Sequence, residues 1–225
     1  MAEPIRIAVM ASGGGSNLES IVDACEAGRV DGRVVCVVSD RRGAGALERA
    51  RKHGIEAIHV QVPKTGTTGW HDADRALVDV FNAREVNLVA MAGYMRIIGP
   101  ELVRAYRHRI MNIHPALLPA FPGVDVQSDA VDYGVKIAGA TVHFADEEYD
   151  TGPIIIQAAV PVMPGDTAED LAHRILEQEH RIYPQAIQWF AEGRLKVDRR
   201  RVILLDAAEA VPTAQMVSPA IDGDF

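Results

Sequence analysis

Two polar side chains alternate with two apolar ones in the run Met111-Asn112-Ile113-His114. An amide can donate hydrogen bonds to a developing oxyanion, and an imidazole can move a proton near neutral pH. In an extended segment, residues two apart share a face. Asn112 and His114 then point one way and Met111 and Ile113 the other. Pro115 removes a backbone donor and turns His114 away from helix. A lone Asn that satisfies a loop, or a lone core His, is the ordinary case. The pair stands at the end of a predicted buried strand, before Pro115-x-x-x-Pro119 and the turn Pro122-Gly123, and this points to a site. Further on, Asp150 precedes the sharp turn Thr151-Gly152-Pro153. A carboxylate there could orient His114 or hold a water. By itself it reads as a turn residue.

A second constellation lies near the N-terminus, where an apolar run at 5–11 is followed by Ser12-Gly13-Gly14-Gly15-Ser16 and an amphipathic segment. Backbone N–H groups freed by the glycines, with Ser16 at a helix start, suit an anion. Leu18 stands where the dinucleotide fingerprint needs its third glycine, and no P-loop lysine follows, so a monophosphate fits better than a dinucleotide or a triphosphate. A tight turn with a helix cap is the plainer alternative. Other chemistries lack their residues. There is no Gly-x-Ser-x-Gly elbow. The eight histidines show no metal-ligand spacing, and His53, His59, His108 and His173 read as surface or helix-end residues.

The elements that must carry these residues alternate. Strands are predicted at 5–11, 34–39, 56–60, 87–91 and 109–114, the last closing a parallel sheet. Helices are predicted at 17–26, 45–53, 70–84 and 99–106. The segment 63–69 reads as a polar loop. The rhythm then changes to a helix at 126–133 and strands at 137–144 and 154–162 with no helix between them. One long helix follows at 167–190, then a small hairpin at 194–205. The fold class is therefore α/β, a doubly wound, mostly parallel sheet of Rossmann-like type with a C-terminal antiparallel strand pair and a long helix. Residues 207–225 are poorly patterned.

The chain of 225 residues is 48% hydrophobic and 24% charged, ordinary values for a soluble protein. A net charge of −8 argues against a general nucleic-acid-binding face. Cys25 and Cys36 lie in apolar-periodic segments and read as buried thiols of a reducing compartment. Without a signal-peptide pattern or a bilayer-length apolar run, the expected location is cytoplasmic.

Taken together, the motifs resemble the folate-dependent phosphoribosylglycinamide formyltransferases of purine biosynthesis. The matching stretches run from Gly13 to Leu18, Ala92 to Ile97, Met111 to Pro119, Thr141 to Phe144, Asp150 to Ile155 and Gln178 to Pro184. Asn-Ile-His-Pro with a downstream Asp marks the formyltransferase superfamily, and the Gly-Ser-Asn loop narrows it to this branch. The resemblance implies transfer of a formyl group from 10-formyltetrahydrofolate, as co-substrate, to the amine of glycinamide ribonucleotide, without a metal. It implies that Asn112 and His114 stabilise the tetrahedral intermediate, while Asp150 orients His114 and a proton-relay water. Gly15, Ser16, Asn17 and Glu179 would hold the ribonucleotide. Met95, Arg96, Ile97, Ile98, Asn112 and the loop Asp146, Glu147, Glu148, Tyr149 and Asp150 would form the folate pocket. Residues 1–206 would be one formyltransferase domain, with a phosphate-binding half at about 1–110 and a folate and catalytic half at about 111–206, followed by a tail at 207–225. The partners implied are small molecules, with neither nucleic acid nor membrane, and the assembly is a monomer or homodimer.

One residue departs from the pattern: Asp125 stands where many relatives carry His, two residues after the Pro-Gly turn. Three competing readings differ in what they require. A methionyl-tRNA formyltransferase would add a basic RNA-binding domain, for which this acidic chain has no room. A formyltetrahydrofolate hydrolase would not need the glycine loop as a phosphate nest. A non-catalytic folate- or nucleotide-binding regulator predicts loss of a catalytic residue, yet Asn112, His114 and Asp150 are all present.

Overall fold

The computed structural model describes residues 3–207 and 217–218. Its first half alternates β1 (Ile5–Met10), α1 (Ser16–Glu26), β2 (Gly32–Ser39), α2 (Gly45–Lys52), β3 (Glu56–His59), α3 (Thr68–Asn82), β4 (Leu88–Met91), α4 (Pro100–Ala105) and β5 (Ile110–His114). The second half holds α5 (Val126–Tyr133), β6 (Ile137–Phe144), β7 (Ile154–Pro161), α6 (Ala168–Ala191), and the short strands β8 (Leu195–Asp198), β9 (Arg201–Leu204) and β10 (Val217–Ser218). One sheet runs in the order β3-β2-β1-β4-β5-β6-β7-β9-β8, with β10 paired to β7. β1 to β5 are parallel, whereas β6 joins β5 antiparallel. The predicted closing strand, β5, is the last of the parallel run, and β6 continues the same sheet antiparallel. The tail also departs from expectation, because Val217 and Ser218 pair with Ala158 and Gln157. The other residues of that segment beyond 207 lie outside the described residues.

Alternation along the strands builds two cores, one on each face of the sheet. Ile7 and Val9 pack with α1 and α6 residues such as Leu18, Ile21, Ile175 and Ile187, while Ala8 and Met10 pack with Leu77 and Phe81 of α3 and Leu102 of α4. A strand buried on both faces reads as a continuous apolar run, which is why β1 and β4 show no polar alternation. Helix ends follow local chemistry. α3 begins at Thr68, inside the predicted loop, because the Thr67 hydroxyl accepts from Trp70 N–H and caps the first turn. α6 starts with a reciprocal capping box between Thr167 and Asp170 and continues through Pro184. Among the described residues no helix is long and apolar enough to cross a membrane.

The order β2-β1-β4 reverses the direction of winding at β1. In such sheets the crevice at the carboxyl ends of the strands is the place for a ligand. The loops there are tied together. Ser12 Oγ donates to Asp40 after β2 at 2.6 Å and accepts from Met95 N–H after β4 at 2.9 Å, and Ser12 N–H donates to the Gly93 carbonyl.

Candidate active site

Asn112 and His114 project from the end of β5 on one face, while Met111 and Ile113 sit in the apolar core of the other. The antiparallel register places His143 of β6 directly opposite Asn112. Neighbouring strands put such cross-strand side chains within contact distance. His143 Nδ1 lies 3.0 Å from the carbonyl oxygen of Phe144, which can only accept, so Nδ1 carries the hydrogen. His143 Nε2 is then free to accept from Asn112 Nδ2 at 3.2 Å. That bond fixes which way the amide faces. The second amide hydrogen is held loosely, with Asp150 Oδ1 3.5 Å away.

Asp150 reaches this cluster from the turn before β7. Its backbone is left-handed, with φ 55°. Gly152 presses so close to β6 that a Cβ there would run into the carbonyl oxygen of Phe144. The Asp150 carboxylate lies 3.4 Å from His114 Nδ1 and 3.7 Å from His143 Nε2, and it accepts from Gly123 N–H at 3.3 Å. Burial raises its proton affinity, but the His143 and His114 rings beside it and the Gly123 N–H outweigh it and hold the carboxyl below its ordinary range. His114 Nε2 lies 2.8 Å from the Phe121 carbonyl oxygen, which can only accept, so Nε2 carries a hydrogen and the ring turns its Nδ1 edge to Asp150. The result is a buried carboxylate between two imidazoles, with an oriented amide beside it.

A cavity of about 580 Å³ opens from this cluster toward the glycine loop. Its walls include Ser16, Asn17, Glu179, Asn112, His114 and Asp125. Gly15 has φ 82°, and a Cβ there would lie 2.9 Å from Ala46, so the turn into α1 requires glycine. Asn17 Nδ2 donates to Glu179 Oε2 at 2.7 Å, while Asn17 Oδ1 is buried with no partner. Burial pushes the Glu179 carboxyl upward, although the Asn17 bond opposes this. Asp125, at φ 59°, is the cap residue of α5 and faces the same cavity without capping the helix by its side chain.

A second, narrow slot of about 30 Å³ is lined by Arg96, Ile97, Ile98, Asn112, His143 and the loop from Asp146 to Asp150. Asn112, Met91 and Tyr149 line both depressions, so the two meet at Asn112. Of the residues predicted for this pocket, Met95 lies on the larger cavity instead. Arg96 spends part of its guanidinium on the carbonyls of Val62 and Pro63, at 2.7 and 2.6 Å. Residues before 110 and after 145 build the slot together, and residues 16, 17 and 179 meet in the cavity.

A family model described as formyl transferase matches residues 5–187. The chain belongs to the formyl transferase family. It is 42% identical over 193 residues to the phosphoribosylglycinamide formyltransferase of Escherichia coli, covering 86% of this chain and 90% of that one. Its structure is similar to glycinamide ribonucleotide transformylase 1 from Symbiobacterium toebii, with TM-score 0.87 and 51% identity over 92% of this chain and 96% of that chain. A formyltetrahydrofolate deformylase from Pseudomonas syringae also shares the fold, with TM-score 0.84 and 28% identity over 91% of this chain and 67% of that one.

Within this formyl transferase, three side chains escaped the sequence reading. His143 was visible as the second polar position of an alternating strand, Thr141-Val142-His143, but its partner on β5 was not. Tyr183 lies four residues after Glu179, on the same face of α6, and its hydroxyl sits 3.0 Å from the carbonyl oxygens of both Met91 and Met111, fastening α6 to β4 and β5. His173 is exposed, as expected of a surface histidine, and also lines the cavity, six residues before Glu179.

Proposed function

We propose that this formyl transferase moves the formyl group of 10-formyltetrahydrofolate onto the amine of N1-(5-phosphoribosyl)glycinamide, a step of IMP biosynthesis. The observation that carries the reading is the meeting of two unlike depressions at Asn112. One has a glycine loop and a buried carboxyl suited to a phosphoribosyl group, and the other is a slot edged by backbone suited to a pterin. Neither substrate needs to become covalently attached. Holding both against one polar cluster supplies much of the rate.

Attack of the amine on the formyl carbon creates a tetrahedral species with a negative oxygen and a positive nitrogen. The loosely held N–H of Asn112 and the His114 imidazole beside it stabilise that oxygen. Asp150 orients His114 and a water that takes the proton from the nitrogen and returns one to folate N10 as the C–N10 bond breaks. Gly15, Ser16 and Asn17 bind the phosphate, and Glu179 accepts a ribose hydroxyl. The slot is smaller than an ordinary ligand pocket, so the 146–150 loop moves outward when folate enters.

The test is the absorbance change on loss of the formyl group from 10-formyltetrahydrofolate, measured with and without the ribonucleotide. Release that requires the ribonucleotide supports the transferase. Equal release without it identifies a deformylase, the activity named for the Pseudomonas protein of the same fold. Binding of both ligands with no release identifies a regulator and overturns the catalytic roles.

A further inference from the structure

The glycine loop does not hold its shape alone. Gly13 O accepts from Ala46 N–H, at the start of α2, at 3.0 Å. Gly14 O accepts from Arg49 Nε, one turn further along α2, at 2.8 Å. Gly15 O accepts from Glu19 N–H and begins α1. Three consecutive carbonyls are therefore each committed to a donor. A trans peptide is planar, and its C=O and N–H point in opposite directions. Fixing the Gly13 and Gly14 oxygens toward α2 turns the N–H groups of Gly14 and Gly15 away from it. Fixing the Gly15 oxygen into α1 turns Ser16 N–H out of the helix end. Among the described residues, none of these three N–H groups has a hydrogen-bond partner.

We infer that Arg49 is a positioning residue for the anion site, holding the Gly14–Gly15 peptide in the one orientation that presents its N–H to the substrate phosphate. Arg49 is itself held: its Nη1 lies 3.0 Å from Glu19 on α1, and His53 grips the other oxygen of Glu19 at 3.3 Å and Glu26 at 3.0 Å. The guanidinium thus spans from the helix that follows the loop to the loop carbonyl, with its charge on the side of the peptide opposite the anion. Glycine is the residue most able to let a peptide flip. A run of three glycines without a tether would sample the flipped peptide, which aims a carbonyl at the phosphate. Ala46 contributes the neighbouring tether through its backbone, which substitution leaves in place. Arg49 contributes the one tether that a side-chain change removes.

This rests on the phosphate role proposed above for the loop, and the experiment separates the two. Arg49→Met removes both of its bonds, and Arg49→Lys keeps the charge and one donor. Steady-state kinetics with each substrate, and ¹⁵N-resolved shifts of the Gly14 and Gly15 amides on titration with inorganic phosphate, are the readouts. The expected result for Arg49→Met is a rise of about tenfold in KM for the ribonucleotide, with kcat and the folate KM within twofold of wild type, and partial recovery in Arg49→Lys. An unchanged ribonucleotide KM, or an equal loss in kcat and both KM values, overturns the inference. If Arg49→Met does not fold, Glu19→Gln, which leaves Arg49 in place but loosens it, decides by the same KM split. Wild-type protein that shows no turnover yet shifts its Gly14 and Gly15 amides with phosphate, and loses those shifts in Arg49→Met, sinks the reaction assignment and keeps the clamp.

Discussion

The two ends of the cavity are built from different material. At the glycine loop the groups proposed to meet the ligand are main-chain N–H donors from consecutive residues, supported by carbonyl bonds to α2 and α1. At Asn112 the site is built from four side chains, at positions 112, 114, 143 and 150, brought together by two strands and a turn. The first kind of site should tolerate changes of side chain but not an added Cβ at Gly15. The second should tolerate neither truncation nor a change of register. Chemistry explains the division. A phosphate needs several donors and no proton transfer, which peptide groups supply. A tetrahedral intermediate needs a proton held and released at one atom, which only ionisable side chains supply.

The largest effects should come from the side-chain end. Asn112→Ala and Asp150→Ala should each lower kcat by about 10²–10³-fold, with both proteins folded and the ribonucleotide KM little changed. Wild-type-like turnover in either would erase the contrast between the two ends. His143→Ala should follow at about tenfold in kcat, since it orients the Asn112 amide, and His143→Gln should recover part of this by accepting the same bond. At the backbone end, Gly15→Ala should raise the ribonucleotide KM by roughly tenfold or more, because alanine at φ 82° costs about 1–2 kcal/mol before any clash with Ala46. Ser16→Ala should cost less than Gly15→Ala in the same assay. The reverse order would mean that the hydroxyl, not the main chain, holds the phosphate.

Glu179 sits between the two kinds of site and gives a pH signature. Its folded carboxyl is raised by burial, so the folded state binds more protons than the unfolded one above the ordinary carboxylate range. Stability from this group is present at low pH and declines as pH rises from the unfolded value toward the folded one. Glu179→Gln should flatten that decline, leaving a variant more stable than wild type at neutral pH but weaker in ribonucleotide binding. Urea midpoints at several pH values measure it, and parallel curves for the two proteins would refute it. The smallest effect is a control far from both ends. Thr167→Ala removes the α6 cap, and should cost about 1 kcal/mol and lower Tm by about 2–4 °C without altering kcat.

Which features were legible in the chain follows the same line. The β1–glycine loop–α1 unit could be read because strand, turn and helix are consecutive, and φ-permissive residues mark the turn between two periodic segments. Asn112 and His114 could be read as a same-face pair because a strand has a period of two. His143 could not, because its meaning depends on being registered against Asn112, 31 residues away. Arg49 could not, because nothing in a helix sequence shows which carbonyl of a distant loop its guanidinium will meet. The family resemblance pointed to Asp150 and Glu179; by itself Asp150 reads as a turn carboxylate, and nothing local singles out Glu179.

The sequence by itself determined the succession of elements, their apolar faces and the places where glycine or proline forces a turn, since these depend on neighbours within a few residues. Tertiary structure alone decided that β6 joins β5 antiparallel, that the tail's Val217 and Ser218 pair with β7, and that two imidazoles flank one carboxylate. Those outcomes depend on which distant segments lie side by side. That choice is made by the joint packing of both cores and not by any local propensity. The charge on Asp150 is the clearest case: its sequence neighbours leave it an ordinary turn residue, and only the folded chain surrounds it with the partners that keep it ionised.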